Sequence, residues 1–128
     1  MSLAQIQQVL QAHPEIELAI VFGSMAKGQA RTDSDVDLAV QARSLLDVSQ
    51  KMALIADVAL ATGRTVDLVD LRTVGEPLLG QILTHGQRLC GSTETFAAVL
   101  SRHLLDAEDF LPYARRLLAE RRQAWTGT

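Results

Sequence analysis

The sequence is poor in the residues that would staple a small fold or carry it through a membrane. Its 128 residues include one cysteine, Cys90, three prolines, three Phe, one Tyr and one Trp. A lone cysteine excludes an internal disulfide framework and any multi-cysteine zinc site. No apolar run approaches the ~18 residues of a membrane span. The N-terminus has no basic stretch followed by an apolar one, so no secretory signal is expected. A basic surplus is missing too: 12 Lys and Arg face 15 Asp and Glu, for a formal charge of −3. That balance argues against general nucleic-acid binding. These absences predict a cytoplasmic protein with neither membrane nor direct nucleic-acid contact.

What is present suits one small domain. The chain is 48% hydrophobic, and domains usually run to about 100–150 residues with a core of their own. Leu3, Ile6, Val9 and Leu10 predict a helix over residues 2–13, capped by Ser2 and ended by Pro14. Residues 16–22 read as a buried strand closed by Gly23, and residues 24–34 as a short helical turn and a loop. Residues 36–41 read as a second strand. Residues 45–61 read as a helix with Leu45, Val48, Met52, Ile55 and Val58 inward, stopped by Gly63. Residues 65–71 form a third strand. Thr73 and Glu76 have capping-box spacing ahead of a helix that ends at Gly86, and residues 88–90 a last short strand. His13, His85 and His103 share no spacing and read as surface or helix-end residues, and Cys90 as a small buried apolar side chain.

From residue 93 onward the pattern is helical. Leu100, Leu104, Ala107, Leu111, Ala114 and Leu118 make an apolar seam most simply read as packing within the chain. Pro112 inside it implies either a kinked helix or two helices. The expected fold is α/β (α+β): a small mixed sheet with helices packed on it and a helical C-terminal tail. Its expected organisation is a domain over residues 1–92 and a helical extension over 93–128 that packs on the domain or on a partner.

The informative stretch runs from Phe22 to Val40. Gly23 and Gly28 have the glycine spacing of a P-loop, but Gln29 and Ala30 follow where Lys and Ser or Thr are required. Asp33, Asp35 and Asp37 alternate as in a calcium loop, but Leu38 and Ser44 stand where that loop needs Gly and Glu. The positive reading starts from strand parity. Asp35 and Asp37 are two apart, so both carboxylates face one side while Val36 and Leu38 face the core. Paired carboxylates suit a hard cation such as Mg²⁺ or Mn²⁺. Asp67 interrupts an apolar strand between Val66 and Leu68, where an ionised group costs several kcal/mol unless paired or metal-bound. It completes a three-carboxylate cup if its strand lies beside the second one. Asp70, on the opposite parity, is the second choice. Gly23 lets a ligand approach the backbone, and free N–H groups with the Ser24 hydroxyl suit phosphate.

Gly23, Ser24, ten residues, then Asp35-Val36-Asp37 resembles the signature of the DNA polymerase β-like nucleotidyltransferase superfamily. Ala26, Lys27, Gly28, Arg31, Ser34 and Leu38 extend the resemblance to the minimal nucleotidyltransferases. The short length and the run from Asp67 to Arg72 look closer still to the antitoxin members encoded beside a HEPN-domain ribonuclease toxin. Some of those transfer AMP from ATP onto the toxin. The resemblance implies a nucleotidyltransferase-like fold with two Mg²⁺ ions (or Mn²⁺) per site and ATP as substrate. Asp35 and Asp37 would bind both metals, and Asp67 the catalytic one while activating the incoming hydroxyl. Gly23 and Ser24 would hold the triphosphate, with Lys27 and Arg31 neutralising its charge.

Three functions compete at this point. The first is a nucleotidyltransferase acting on a partner-protein hydroxyl, with a HEPN toxin as partner. The second is an antitoxin that works by binding alone, with a non-catalytic nucleotide site. The third is a small-molecule nucleotidyltransferase of the aminoglycoside-modifying kind. No residue in the sequence declares itself a reader of the nucleotide base.

Overall fold

The computed structural model describes residues 3–28 and 34–126. Its elements are α1 (Leu3–Gln11), β1 (Ile16–Phe22), β2 (Val36–Ala42), α2 (Val48–Thr62), β3 (Val66–Asp70), α3 (Leu78–His85), β4 (Gln87–Cys90) and α4 (Thr93–Thr126). The strands form one mixed sheet in the order β3-β2-β1-β4. β1 runs antiparallel to both β2 and β4, while β2 and β3 run parallel, joined through α2. The two central strands are the apolar runs of the sequence, because a strand covered on both faces needs apolar side chains on both.

Two clusters form the core. Ile6 and Leu10 of α1 and Leu54 and Val58 of α2 pack with Val36, Leu38 and Val40 on one face of the sheet. Leu79 and Ile82 of α3 and Val99 of α4 pack with Leu18, Ile20 and Ala39 on the other. Strand alternation separates the two sets. Cys90 is half-buried at the edge of the first cluster, and burial pushes its thiol above its ordinary value despite a bond from the Ala19 backbone.

Of the residues read as inward, Val58 is buried and Ile55 half-buried, but Leu45, just ahead of α2, and Val48 and Met52 are 63%, 72% and 65% exposed, and Leu54 is buried instead. α2 is apolar nearly all round, so periodicity alone chose between two plausible stripes. The start of the helix was readable but missed: Asp47 accepts from the Gln50 backbone N–H at 2.7 Å, and the Gln50 side chain accepts from Asp47 N–H at 3.0 Å. Gly63 stops it as expected, in the left-handed region. Met52→Ser and Leu60→Gln are expected to shift unfolding free energy by no more than about 0.5 kcal/mol, because neither side chain leaves the core. Chemical denaturation of the two variants checks this, and a loss of several kcal/mol would restore the original face.

The Thr73–Glu76 capping box does not form. Thr73 Oγ1 instead donates to the Asp70 carbonyl, and α3 opens at Pro77 with no side-chain cap there. Glu76 still serves the helix start, since its Oε2 accepts from Gly80 N–H at 3.2 Å while Oε1 pairs with His103 of α4. His13 likewise has acidic partners, Glu15 at 3.3 Å and Asp57 of α2 at 2.7 Å. Both histidines therefore tie elements together rather than dangle at the surface. Ser2 lies outside the described residues.

The tail is a single helix that runs through Pro112. Among the described residues its seam is not core packing: Leu100, Leu104 and Leu118 are 36%, 57% and 61% exposed, and Phe96 and Val99 one turn earlier make the contact instead. The side chains of Ala107, Leu111 and Ala114 lie outside the described residues. Among the described residues no helix is long and apolar enough to cross a membrane.

Candidate active site

The site lies where β1 ends and β2 and β3 begin. β1 closes at Phe22, and Gly23 turns the chain with φ +70°. Residues 23–28 form a turn with Lys27 N–H donating to Gly23 O at 3.3 Å, the single helical turn expected. Gly23 is required twice over. Its φ suits glycine, and a Cβ there would run into Asp37 Oδ2. The carboxylate of β2 thus occupies the space that any other residue at position 23 would fill.

Parallel pairing supplies the second acid. Asp37 and Asp67 are register partners across β2 and β3, and the Val36 N–H donates to Thr65 O at 2.8 Å just ahead of them. Neighbouring strands lie about 4.8 Å apart, so two in-register carboxylates on one face sit side by side. Arg64 steadies the approach to the third, its Nη1 donating to Ser34 O at 2.9 Å next to Asp35. Burial raises the Asp37 carboxyl above its ordinary value, and the nearby Asp67 and Asp35 charges raise it further. The three expected aspartates therefore share one electrostatic neighbourhood.

Asp70 is not part of it. It is buried on the opposite face and organises the turn after β3: Oδ1 accepts from Arg72 N–H at 2.9 Å, and its carbonyl accepts from Thr73 and Val74. Its Oδ2 has no hydrogen-bond partner among the described residues.

A cleft of about 200 Å³ opens beside Asp37. Phe22, Gly23 and Lys27 line it on one side, and Leu78, Gln81 and His85 of α3 on the other. Lys27 thus shares a cleft with Asp37, as a phosphate-neutralising residue would. Arg31 lies outside the described residues. The α3 wall and Arg64 were missed by sequence reasoning. Leu78, Gln81 and His85 have the spacing of a single helical face, but nothing in the sequence says that this face meets the acids.

The donor set suits a hard divalent cation: carboxylate oxygens held together, with the half-buried Asp37 disfavoured as a bare charge. Among the described residues no three His, Cys, Asp or Glu side chains are gathered tightly enough to cage an ion on their own. Mg²⁺ does not ask for that, because it keeps waters and takes one or two carboxylates together with substrate phosphates.

Fold and site define a nucleotidyltransferase-like domain: a mixed four-stranded sheet offering in-register acids beside a glycine-led turn. Residues 4–95 match the family described as Polymerase beta, Nucleotidyltransferase, and the chain belongs to that family. It is 37% identical over 81 residues to the protein adenylyltransferase MntA of Shewanella oneidensis, a stretch covering 63% of this chain and 58% of that protein. Among solved structures, a toxin–antitoxin with AMP-PNP superposes with a TM-score of 0.83 at 26% identity, covering 95% of this chain and 99% of that one. A tri-AMPylated Shewanella oneidensis HEPN toxin in complex with MNT antitoxin gives 0.75 at 25% identity, covering 94% and 95%. These two resemblances extend past the family match into the long C-terminal helix.

Proposed function

We propose that this chain is a metal-dependent protein adenylyltransferase that moves AMP from ATP to a side-chain hydroxyl of a HEPN ribonuclease toxin, and so acts as its antitoxin. The observation that carries the reading is the convergence of Asp37 and Asp67 in register beside the Gly23 turn. The acceptor oxygen bonds to the α-phosphorus as the bond to the pyrophosphate oxygen breaks, and the hydroxyl proton must leave. Asp67, exposed and in register with Asp37, would help to take it. Gly23 makes room for the Asp37 carboxylate beside the turn, Ser24 would offer a hydroxyl donor to the phosphates, and Lys27 brings a positive charge to the same cleft. Asp35, Asp37 and Asp67 would hold the divalent ions, two per site, which when bound polarise the phosphate oxygens and ease loss of the acceptor proton.

One observation favours binding as a second route to neutralisation. Leu100, Leu104, Leu105 and Leu118 are exposed along α4, an apolar stripe that suits a helical partner. One experiment separates the two. The protein is incubated with labelled ATP, Mg²⁺ and the product of the neighbouring reading frame, and the Asp35→Ala/Asp37→Ala double variant is run beside it. Label is expected on the partner only with the wild type, and neutralisation is expected to fail with the variant. An unlabelled partner together with no ATP binding would end the transferase reading, whereas full neutralisation by the variant would favour binding alone.

A further inference from the structure

We infer that the α3 wall of the cleft is the base subsite, in which Phe22 and Leu78 cover the faces of a purine ring and the Gln81 amide reads its edge. The inference rests on the nucleotide reading of the Gly23–Asp37 site. The cleft's lining is of two chemical kinds. The Gly23 turn, the Lys27 ammonium and the Asp37 carboxylate suit phosphates and their metal. Phe22 and, facing it from α3, Leu78, Gln81 and His85 add two apolar side chains, one neutral amide and an imidazole. A nucleotide has the same division: a charged tail, and a flat ring whose edge offers hydrogen-bond donors and acceptors. Leu78 is 37% exposed and Phe22 half-buried, so apolar surface is left open beside the acids. Such surface lining a cleft with a few polar groups is the usual make-up of a small-ligand site.

Gln81 is free to read. Among the described residues its amide bonds to none, and only its backbone N–H is used, donating to Pro77 O at 3.2 Å. An amide offers one donor and one acceptor side by side, which matches the N6–H and N7 pair on the Hoogsteen edge of adenine, the edge we assign to Gln81. The Hoogsteen edge of guanine shows two acceptors and leaves the amide oxygen facing another oxygen. His85, one turn on, stands at the rim of the cleft.

The wall is also fixed in place. Leu79 and Ile82 on the opposite side of α3 are fully buried. At the C-terminal end of the helix, a Cβ on Gly86 would collide with Ile20 of β1, so the helix sits hard against the strand that delivers Gly23. Its N-terminal end is held by Glu76 bonded to Gly80 and His103. A reader mounted on such a helix keeps its distance from the phosphate turn without a closing motion.

The test measures transfer to the partner from ATP, GTP, CTP and UTP by the full complex, for wild type, Gln81→Leu and Leu78→Ala. Wild type is expected to prefer ATP. Gln81→Leu is expected to lower the ATP-to-GTP ratio of kcat/KM by about tenfold, within the range of one bidentate base contact. Leu78→Ala is expected to raise KM for all four nucleotides with little change in their ratios. An unchanged ratio in Gln81→Leu would overturn the assignment. So would a raised KM for the partner at constant nucleotide preference, which would give the wall to the acceptor. Calorimetry with AMP-PNP and its guanine analogue asks the same question without turnover. A wild type that transfers nothing yet loses AMP-PNP selectivity in Gln81→Leu would refute the transferase reading and keep this one. Melting curves confirm that each variant is folded.

Discussion

Asp37→Asn is expected to cut nucleotidyl transfer by about 10³-fold, the scale of several kcal/mol of lost metal-assisted stabilisation. It is also expected to make the metal-free protein more stable. Both follow from one arrangement. Asp37 is partly withdrawn from water and faces Asp67 and Asp35, so ionising it in the fold is harder than in the unfolded chain. Its carboxyl is raised from an ordinary value of 3.8, which means the native state binds this proton more readily than the unfolded state does. Stability contributed by the group therefore falls as pH rises from the ordinary value through the raised one, and stays lower above it. Asparagine has no such charge. Metal-free melting curves from about pH 4 to about pH 7 should show the wild type losing ground to the variant as pH rises. Added Mg²⁺ or Mn²⁺ should raise the melting temperature of the wild type more than that of the variant, by mass action on the native state. A variant that transfers nucleotide at the wild-type rate would remove Asp37 from the site.

Gly23→Ala is expected to lower transfer by about 10²-fold, the cost of misplacing a reacting group by about 1 Å, and to destabilise the fold by about 1–3 kcal/mol. Two causes act together, the left-handed φ and the collision of the new methyl group with Asp37 Oδ2. Gly63 separates them. Its φ is +68°, close to the +70° of Gly23, but a Cβ there meets nothing within 4 Å. Gly63→Ala should therefore show the backbone strain alone, with some loss of stability and unchanged transfer. Equal transfer by the two variants would mean that Gly23 serves only the turn.

The sheet and the acids were readable because strand parity is a strict code. Val36, Leu38 and Val40 alternate with Asp37 and Ala39, and the same alternation set Asp67 apart from Asp70. Gly23, Ser24 and the ten-residue interval before Asp35 carried the family. Helix faces were harder. In α2 Val58 fits a helical period with Leu54 and also with the Val48, Met52 and Ile55 stripe, and only packing on β3 and α1 chose between them. The α4 seam failed for the same reason. Long-range partners were beyond reach, since His13 meets Asp57 44 positions away and His103 meets Glu76 at a separation of 27. The α3 wall belongs with these: its spacing was visible, its neighbour across the cleft was not.

The parallel pairing of β2 with β3 also governs how the chain tolerates change. The gap between the two acids is set by a ladder of backbone bonds rather than by flexible side chains, so the sheet acts as a ruler. Residues gained or lost in the turn at the far end of α2 are absorbed before the ladder begins. A single residue inserted inside the ladder itself would present Leu68 or Val66 where Asp67 stands and turn the acid toward oil. Drift in length is thus permitted on one side of Thr65 and forbidden on the other.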